Sequence, residues 1–353
     1  MNRTGLLILA LLPGTIPSVS AAPGEPGSPA FGIGARLDLY GPGFQNALGV
    51  LSSLHLDWVS IEYSWENFSP TLDSVPDYSL LDKAIDAAQA NDTSVLLSLT
   101  HPPAWATTPT GPNPSAVTRL LTALLKRYPG HLQAIELFPA PNTRNGWGAL
   151  PDAAAYLKLY RAASAVLKAN SSESFLVAGG VEVISSPTIQ GDLSDANFLD
   201  TLFYLAKDSP PAVVGLRYPS VLGSPSAPDD GRYPAVLRHY EEIRRQIRAG
   251  GHPATLLWIT YLGLPAFPDR AAQTSWLAEA YPQVRSQLYI GAAFLQGLNT
   301  CPSNNSCAEV NLLEQDGSLH PFASLLTDLI QDGSTTGEIQ PGHTKSNILF
   351  KSR

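Results

Sequence analysis

The sequence is short of charge, of sulfur and of long apolar runs, and each shortage narrows what the chain can be. Charged residues make up only 15% of it, and acidic ones outnumber basic ones to leave a net charge of −8. No basic stripe is present to neutralise phosphates, so no nucleic-acid partner is expected. Cys301 and Cys307 are the whole cysteine complement, and both fall in the polar stretch CPSNNSC. Two thiols without a neighbouring histidine are too few ligands for a structural zinc site, so a disulfide stapling this loop is the expectation. The histidines (His55, His101, His131, His239, His252, His320 and His343) lack paired metal-binding spacing, and no metal or other cofactor is expected. No apolar run approaches the ~20 residues that cross a bilayer, so no transmembrane segment is expected.

What is present begins with Arg3, the apolar run LLILALL (6–12) and the small-residue site Val19-Ser20-Ala21. That order reads as a cleavable signal peptide over 1–21 and predicts a secreted or extracytoplasmic protein. Residues 22–30, APGEPGSPA, read as a Pro/Gly linker. With 44% hydrophobic residues, the remainder of the 353-residue chain can bury a sizeable core. The stretch 333–353 is polar and without periodicity, and reads as a tail.

Between linker and tail, short apolar runs alternate with longer stretches of helical period. The predicted strands are 32–39, 58–63, 94–99, 134–138, 175–179, 213–216, 256–260 and 291–295. Helical patterns between them include 78–90, 116–128, 153–169, 197–207, 235–248 and 271–286. Eight such alternations predict an α/β fold, a single-domain (β/α)8 TIM barrel over 31–332. The competing open, doubly wound sheet carries a G-x-G-x-x-G loop after its first strand. This chain has LDLYGPGF (37–44) there, without that spacing.

In such barrels the chemistry sits at the C-terminal ends of the strands. The second predicted strand ends in IEYSWENFSP (61–70), the third in SLTHPPAWAT (98–107), the fourth in ELFPAPN (136–142) and the seventh in LWITYLGLP (257–265). Together with Asp316-Gly-Ser-Leu-His-Pro-Phe322 near the end, these resemble, in order, the signatures of the retaining glycoside hydrolases of clan A. The resemblance runs from about residue 31 to 326. The family's fourth-strand signature is Glu-Ile-Trp-Asn-Glu-Pro-Asn and its seventh is often Trp-Ile-Thr-Glu-x-Gly.

The departures from those signatures carry as much meaning as the matches. The resemblance places the acid/base glutamate on Ala140, the nucleophile on Tyr261 and the preceding asparagine on Pro139. Retaining hydrolysis needs two carboxyl groups roughly 5–5.5 Å apart, one to protonate the leaving group and one to attack. Alanine has no titratable atom, and a tyrosine nucleophile needs an activating neighbour. The expectation is therefore a catalytically degenerate barrel that still binds carbohydrate, with no catalytic residue at either position.

Candidate ligand contacts at the strand ends are Trp65, Trp105, Trp147, Tyr218 and Tyr261, whose rings could stack on sugars, and Asn142 and Arg217, which could bond hydroxyls. The alternative for each aromatic is packing of the rim loops, and core packing is expected for Trp58. Arg217 would favour acidic ligands or, more simply, neutralise an inner glutamate such as Glu136, which is expected to be buried and paired. Two other readings stand beside the degenerate one. An active glycosidase could use relocated carboxylates at Glu62, Glu66 or Glu182, or the barrel could be a structural or interaction module engaging a partner through the 301–307 loop.

Overall fold

The apolar runs are rich in Val, Leu and Ile with little polar alternation, the pattern of parallel strands buried on both faces. A computed structural model describes residues 31–184, 187, 189–230, 236–264, 269–299, 311–314 and 316–335. Residues 1–30, over which a signal and a linker are expected, Cys301 and Cys307, and residues 336–353 lie outside the described residues.

The barrel strands are β1 (Gly32–Leu37), β2 (Trp58–Ser64), β3 (Ser94–Thr100), β4 (Ala134–Leu137), β5 (Phe175–Glu182), β6 (Val213–Tyr218), β7 (Leu256–Leu262) and β8 (Ile290–Leu295). All pair in parallel and the sheet closes, with β1 bonded to both β2 and β8. A helix follows each strand: α1 (Phe44–Leu54), α2 (Ser79–Ala90), α3 (Pro114–Arg127), α4 (Ala153–Ala169), α5 (Asp195–Leu205), α6 (His239–Ala249), α7 (Arg270–Arg285) and α8 (Pro321–Thr335). The chain is thus the expected single-domain (β/α)8 barrel. Its last helix continues through Thr335, past the start of the stretch read as a tail. No described helix is long and apolar enough to cross a membrane.

Helix starts follow local chemistry. Asn113 caps α3 by accepting from the Ser115 amide, with Pro114 at the first helical position, where a missing N–H costs nothing. Asp152 caps α4 by accepting from the Ala154 and Ala155 amides.

Two apolar layers result. Outside the sheet, strand residues such as Val59, Ile61, Leu97 and Ile135 pack with helix residues such as Leu51, Leu81, Leu121 and Phe198. Inside, the floor of the barrel is plugged by Trp58, Leu96, Ala134, Val177, Val213, Trp258, Ala292 and Phe294. Trp58 and Trp258 meet edge to face with ring centroids 5.1 Å apart, so Trp58 is core, as expected. Gly34 of β1 follows from this plug, because a Cβ there would lie 2.7 Å from Phe294 and 2.8 Å from Trp58.

One irregularity shapes the mouth. The register of β5 against β6 shifts between Ala178 and Val181, where Gly179 and Gly180 adopt positive φ. This bulge carries the strand on to Glu182, which therefore sits on β5 itself and not past its end.

Candidate functional site

Above the apolar plug, the barrel interior turns polar. Glu136 on β4 is 1% exposed and accepts a hydrogen bond from the Ser98 hydroxyl at 2.5 Å. Gly180 makes room for it, since a Cβ there would fall 2.3 Å from its Oε1. Burial pushes the Glu136 carboxyl up from the ordinary range, against the opposing pull of Arg217, Ser98 and Thr260. Arg217 thus acts on Glu136 through its charge, although the two form no direct ion pair among the described residues.

At the mouth, charges are paired in two groups. On one side Arg36 of β1 bonds Glu62 of β2, Nη2 to Oε2, at 2.6 Å. The other oxygen of Glu62 accepts from the Thr100 hydroxyl at 3.1 Å and lies 3.5 Å from His101 Nδ1. On the other side Glu182, Arg217 and Tyr261 form a row, one per strand, in consecutive register across β5, β6 and β7. The Arg217 guanidinium lies over the Tyr261 ring, 4.4 Å from its centroid. Burial raises the Glu182 carboxyl above its ordinary range, opposed by Arg217 and reinforced by Asp192. Burial likewise raises the Tyr261 phenol, with Arg36 and Arg217 opposing and Glu62 and Glu182 adding.

Position 140 is closed off. Ala140 is 7% exposed with φ +60, its N–H donates to the Gly180 carbonyl at 2.8 Å, and its own carbonyl accepts from Thr143. Gly146 packs directly on it: a Cβ there would lie 2.4 Å from the Ala140 carbonyl oxygen and 2.6 Å from its methyl carbon.

The aromatic contacts expected at the mouth separate into two sets. Trp65, Trp147 and Tyr218 are fully buried and offer no face to a ligand, which corrects the expectation for all three. Trp65 meets Trp105 edge to face, with centroids 5.3 Å apart. The Trp147 indole donates to the Thr110 carbonyl at 3.0 Å, and the Tyr218 hydroxyl donates to the Leu237 carbonyl at 3.1 Å. Amphipathic rings with a satisfied polar edge are stable in a core, and these rings hold rim loops in place. Asn142 is corrected too. It is wholly buried and clamps the chain, its amide donating to the Glu182 and Leu193 carbonyls and its oxygen accepting from the Glu182 N–H. Trp105, Arg217 and Tyr261 remain partly exposed. The Trp105 indole donates to the Ser69 carbonyl at 3.0 Å.

Of the opposite wall, sequence reasoning named Glu62 and Glu66 and missed the rest. A cleft of about 260 Å³ lies at the ends of β1, β2 and β3, lined by Arg36, Asp38, Tyr40, Glu62, Glu66 and His101 among others. The signal was available for Arg36: in a strand with inward Gly32 and Gly34, period 2 turns residue 36 inward as well. Tyr40 is 60% exposed at the edge of this cleft. Glu66 is exposed on the short helix Trp65–Phe68, whereas Glu62 and Glu182 are only partly so. Among the described residues, no cluster of three His, Cys, Asp or Glu side chains could hold a metal ion.

No protein-family model matches the sequence, and no curated protein matches it. Solved structures do resemble it. A GH39 β-xylosidase from Caulobacter crescentus superposes with a TM-score of 0.63 at 15% identity, covering 89% of this chain and 73% of that one. A GH10 endoxylanase from a sugarcane soil metagenome gives 0.60 at 13% identity, covering 85% and 97%. A GH128 endo-β-1,3-glucanase from Sorangium cellulosum gives 0.56 at 16% identity, covering 84% and 97%. At these identities the likeness is one of fold, a (β/α)8 barrel shared with clan A glycoside hydrolases.

Proposed function

We propose that this chain is an exported glycosidase-like barrel that binds carbohydrate at its C-terminal mouth without hydrolysing it. The observation that carries the reading is the state of positions 140 and 261. The first holds a buried methyl group walled by Gly146. The second holds a phenol whose pKa is raised by burial, further from the ionised form an attacking oxygen needs. Losing the acid/base function alone removes a factor of ~10²–10⁴ in rate.

Binding needs less than cutting does. Tyr261 and Trp105 are partly exposed rings, Tyr40 borders the 260 Å³ cleft, and Arg36 and His101 add polar groups beside it. The polar edge of a tyrosine and its flat apolar face suit a pyranose, which offers both hydroxyls and a C–H face. The β-xylosidase, endoxylanase and glucanase named above share the scaffold, which supports a glycan as the ligand class. The signal-like segment 1–21 supports export, and the two cysteines would close the 301–307 loop by a disulfide once outside the cell.

Two assays test the reading. Aryl-glycosides and polysaccharides should show no turnover above background, whereas calorimetric titration with neutral oligosaccharides should show binding that Tyr261→Ala abolishes. Turnover that disappears on substituting one mouth glutamate would overturn it.

A second reading has one observation in its favour. Glu182 is biased toward holding its proton, whereas Glu62 is ion-paired with Arg36, as an acid and its ionised partner would be. The two stand on β5 and β2, three strands apart around the ring. An active hydrolase built on them would lose its turnover in Glu182→Gln with its fold intact.

A further inference from the structure

The row at the mouth contains a cation that no other side chain bonds. The Arg217 guanidinium lies over the Tyr261 ring, 4.4 Å from its centroid. Among the described residues it makes no hydrogen bond and no ion pair, and its Nε is buried without a partner. Glu182 is its register neighbour on β5, yet no ion pair joins the two. Glu136, below them, accepts from Ser98 at 2.5 Å and likewise leaves the guanidinium alone.

This is an unusual way to place an arginine. The group carries five N–H donors in a rigid fork and no acceptor, and it stays charged at every ordinary pH. Taking such a group partly out of water costs free energy unless an acceptor of opposite charge meets it. The ring face of Tyr261 offsets part of that cost but accepts no hydrogen bond of ordinary strength. The two nearest acids do not make up the difference. Burial pushes the carboxyls of Glu182 and Glu136 up from their ordinary range, toward the form that carries no charge. On the other side of the mouth Glu62 is engaged by Arg36 at 2.6 Å. Arg217 is therefore left with a charge and donors that an incoming group can satisfy.

The row is also held in place. Tyr261 steadies the guanidinium from one side, and Asn142 grips the Glu182 main chain at its N–H and its carbonyl. Fixed donors lose little freedom when a ligand arrives. The chain's net charge of −8 disfavours a densely charged polymer at long range, so the preference is for one anionic group at one place.

We propose that the mouth selects a glycan bearing a carboxylate, a uronic acid residue, whose two oxygens are taken by paired N–H donors of Arg217 beside the Tyr261 ring. The planar fork matches a carboxylate in two parallel bonds, which a neutral hydroxymethyl group in the same position cannot make. The proposal rests on the reading of the mouth as a glycan site and adds the class of sugar.

Calorimetric titration of the full chain reads the preference. The probes are oligomers of glucuronic, galacturonic and mannuronic acid, each beside its carboxyl-reduced counterpart. At least one uronate should bind roughly ten- to a hundred-fold more tightly than its neutral counterpart, as expected of hydrogen bonds to a charged group. In Arg217→Met that advantage should disappear. Neutral sugars that bind as tightly as every uronate would overturn the proposal and leave glycan binding standing. Absence of binding by either kind would sink both. An advantage that survives Arg217→Met would put the carboxylate elsewhere and count equally against the assignment. Should that variant not fold or not bind, Arg217→Lys keeps a cation and removes the fork. The uronate advantage should then fall several-fold, and an unchanged ratio would exclude Arg217 as the selecting group.

Discussion

Arg217 and Tyr261 are register partners on adjacent strands, and the guanidinium of the first covers one face of the ring of the second. A cation in that place is worth ~0.5–2 kcal/mol and holds the ring in one orientation. It also takes one stacking face away, so a ligand meets Tyr261 by its free face or its edge. The residue standing where the resemblance places a nucleophile is therefore a fixed, half-covered aromatic platform.

The split between buried and accessible rings leads to the first prediction. Trp147→Ala should cost about 3–5 kcal/mol in denaturant unfolding, as a large ring leaves a packed core. Tyr261→Ala should cost about 1 kcal/mol, chiefly the lost cation–ring contact, and should abolish glycan binding. Normal stability with lost binding in Trp147→Ala would return that residue to the site.

A second prediction concerns the backbone at position 140. Ala140 has φ +60, a left-handed conformation that costs an L-residue roughly 1–2 kcal/mol. Ala140→Gly should stabilise by about 0.5–1 kcal/mol after the entropy glycine loses is subtracted. Gly146→Ala should destabilise by about 1–3 kcal/mol, because its Cβ would press on a backbone carbonyl that cannot turn aside. Thermal melts of both variants check this, and opposite signs are required.

The buried glutamate gives a pH-dependent prediction. The Glu136 pKa is raised in the folded state, so protons bind more tightly there than in the unfolded chain. Its contribution is most favourable below the ordinary value of 4.5 and diminishes as pH rises through the raised value. Glu136→Gln, which can still accept from Ser98, should raise stability at neutral pH, with the gain vanishing under acid conditions. Chemical denaturation at several pH values measures it, and a gain that grows in acid would contradict the sign.

Placing carboxyls at positions 140 and 261 tests the history implied by the resemblance. Glutamate at 261 would stand where Arg36 and Arg217 both favour its ionised form. The double variant Ala140→Glu/Tyr261→Glu should recover measurable turnover of an activated aryl-glycoside, and neither single variant should. A folded double variant with no turnover on any sugar tried would mean that the cleft no longer presents a glycosidic bond to these positions.

Much of the architecture was readable from pattern alone, and the failures are instructive. The predicted strands matched because residues buried on both faces must be apolar, which leaves an unambiguous run. The strand predicted over 175–179 leaves Glu182 beyond its end; in the structure Gly179 and Gly180 make a bulge that re-aims the chain and lets it continue. The cleft beside Arg36 and Tyr40 was missed because no single motif marks it. Its lining comes from three strand ends brought together only by barrel closure.

By itself the sequence determined the eightfold alternation, the closed parallel barrel and the chemical identity of positions 140 and 261. These depend on local periodicity and on which atoms a side chain possesses, and neither changes on folding. Only the tertiary structure decided which aromatic rings face solvent, and that Asn142 clamps Glu182 and does not greet a ligand. Those outcomes depend on which side of a loop packs against its neighbours, a competition among distant contacts that composition and spacing do not encode.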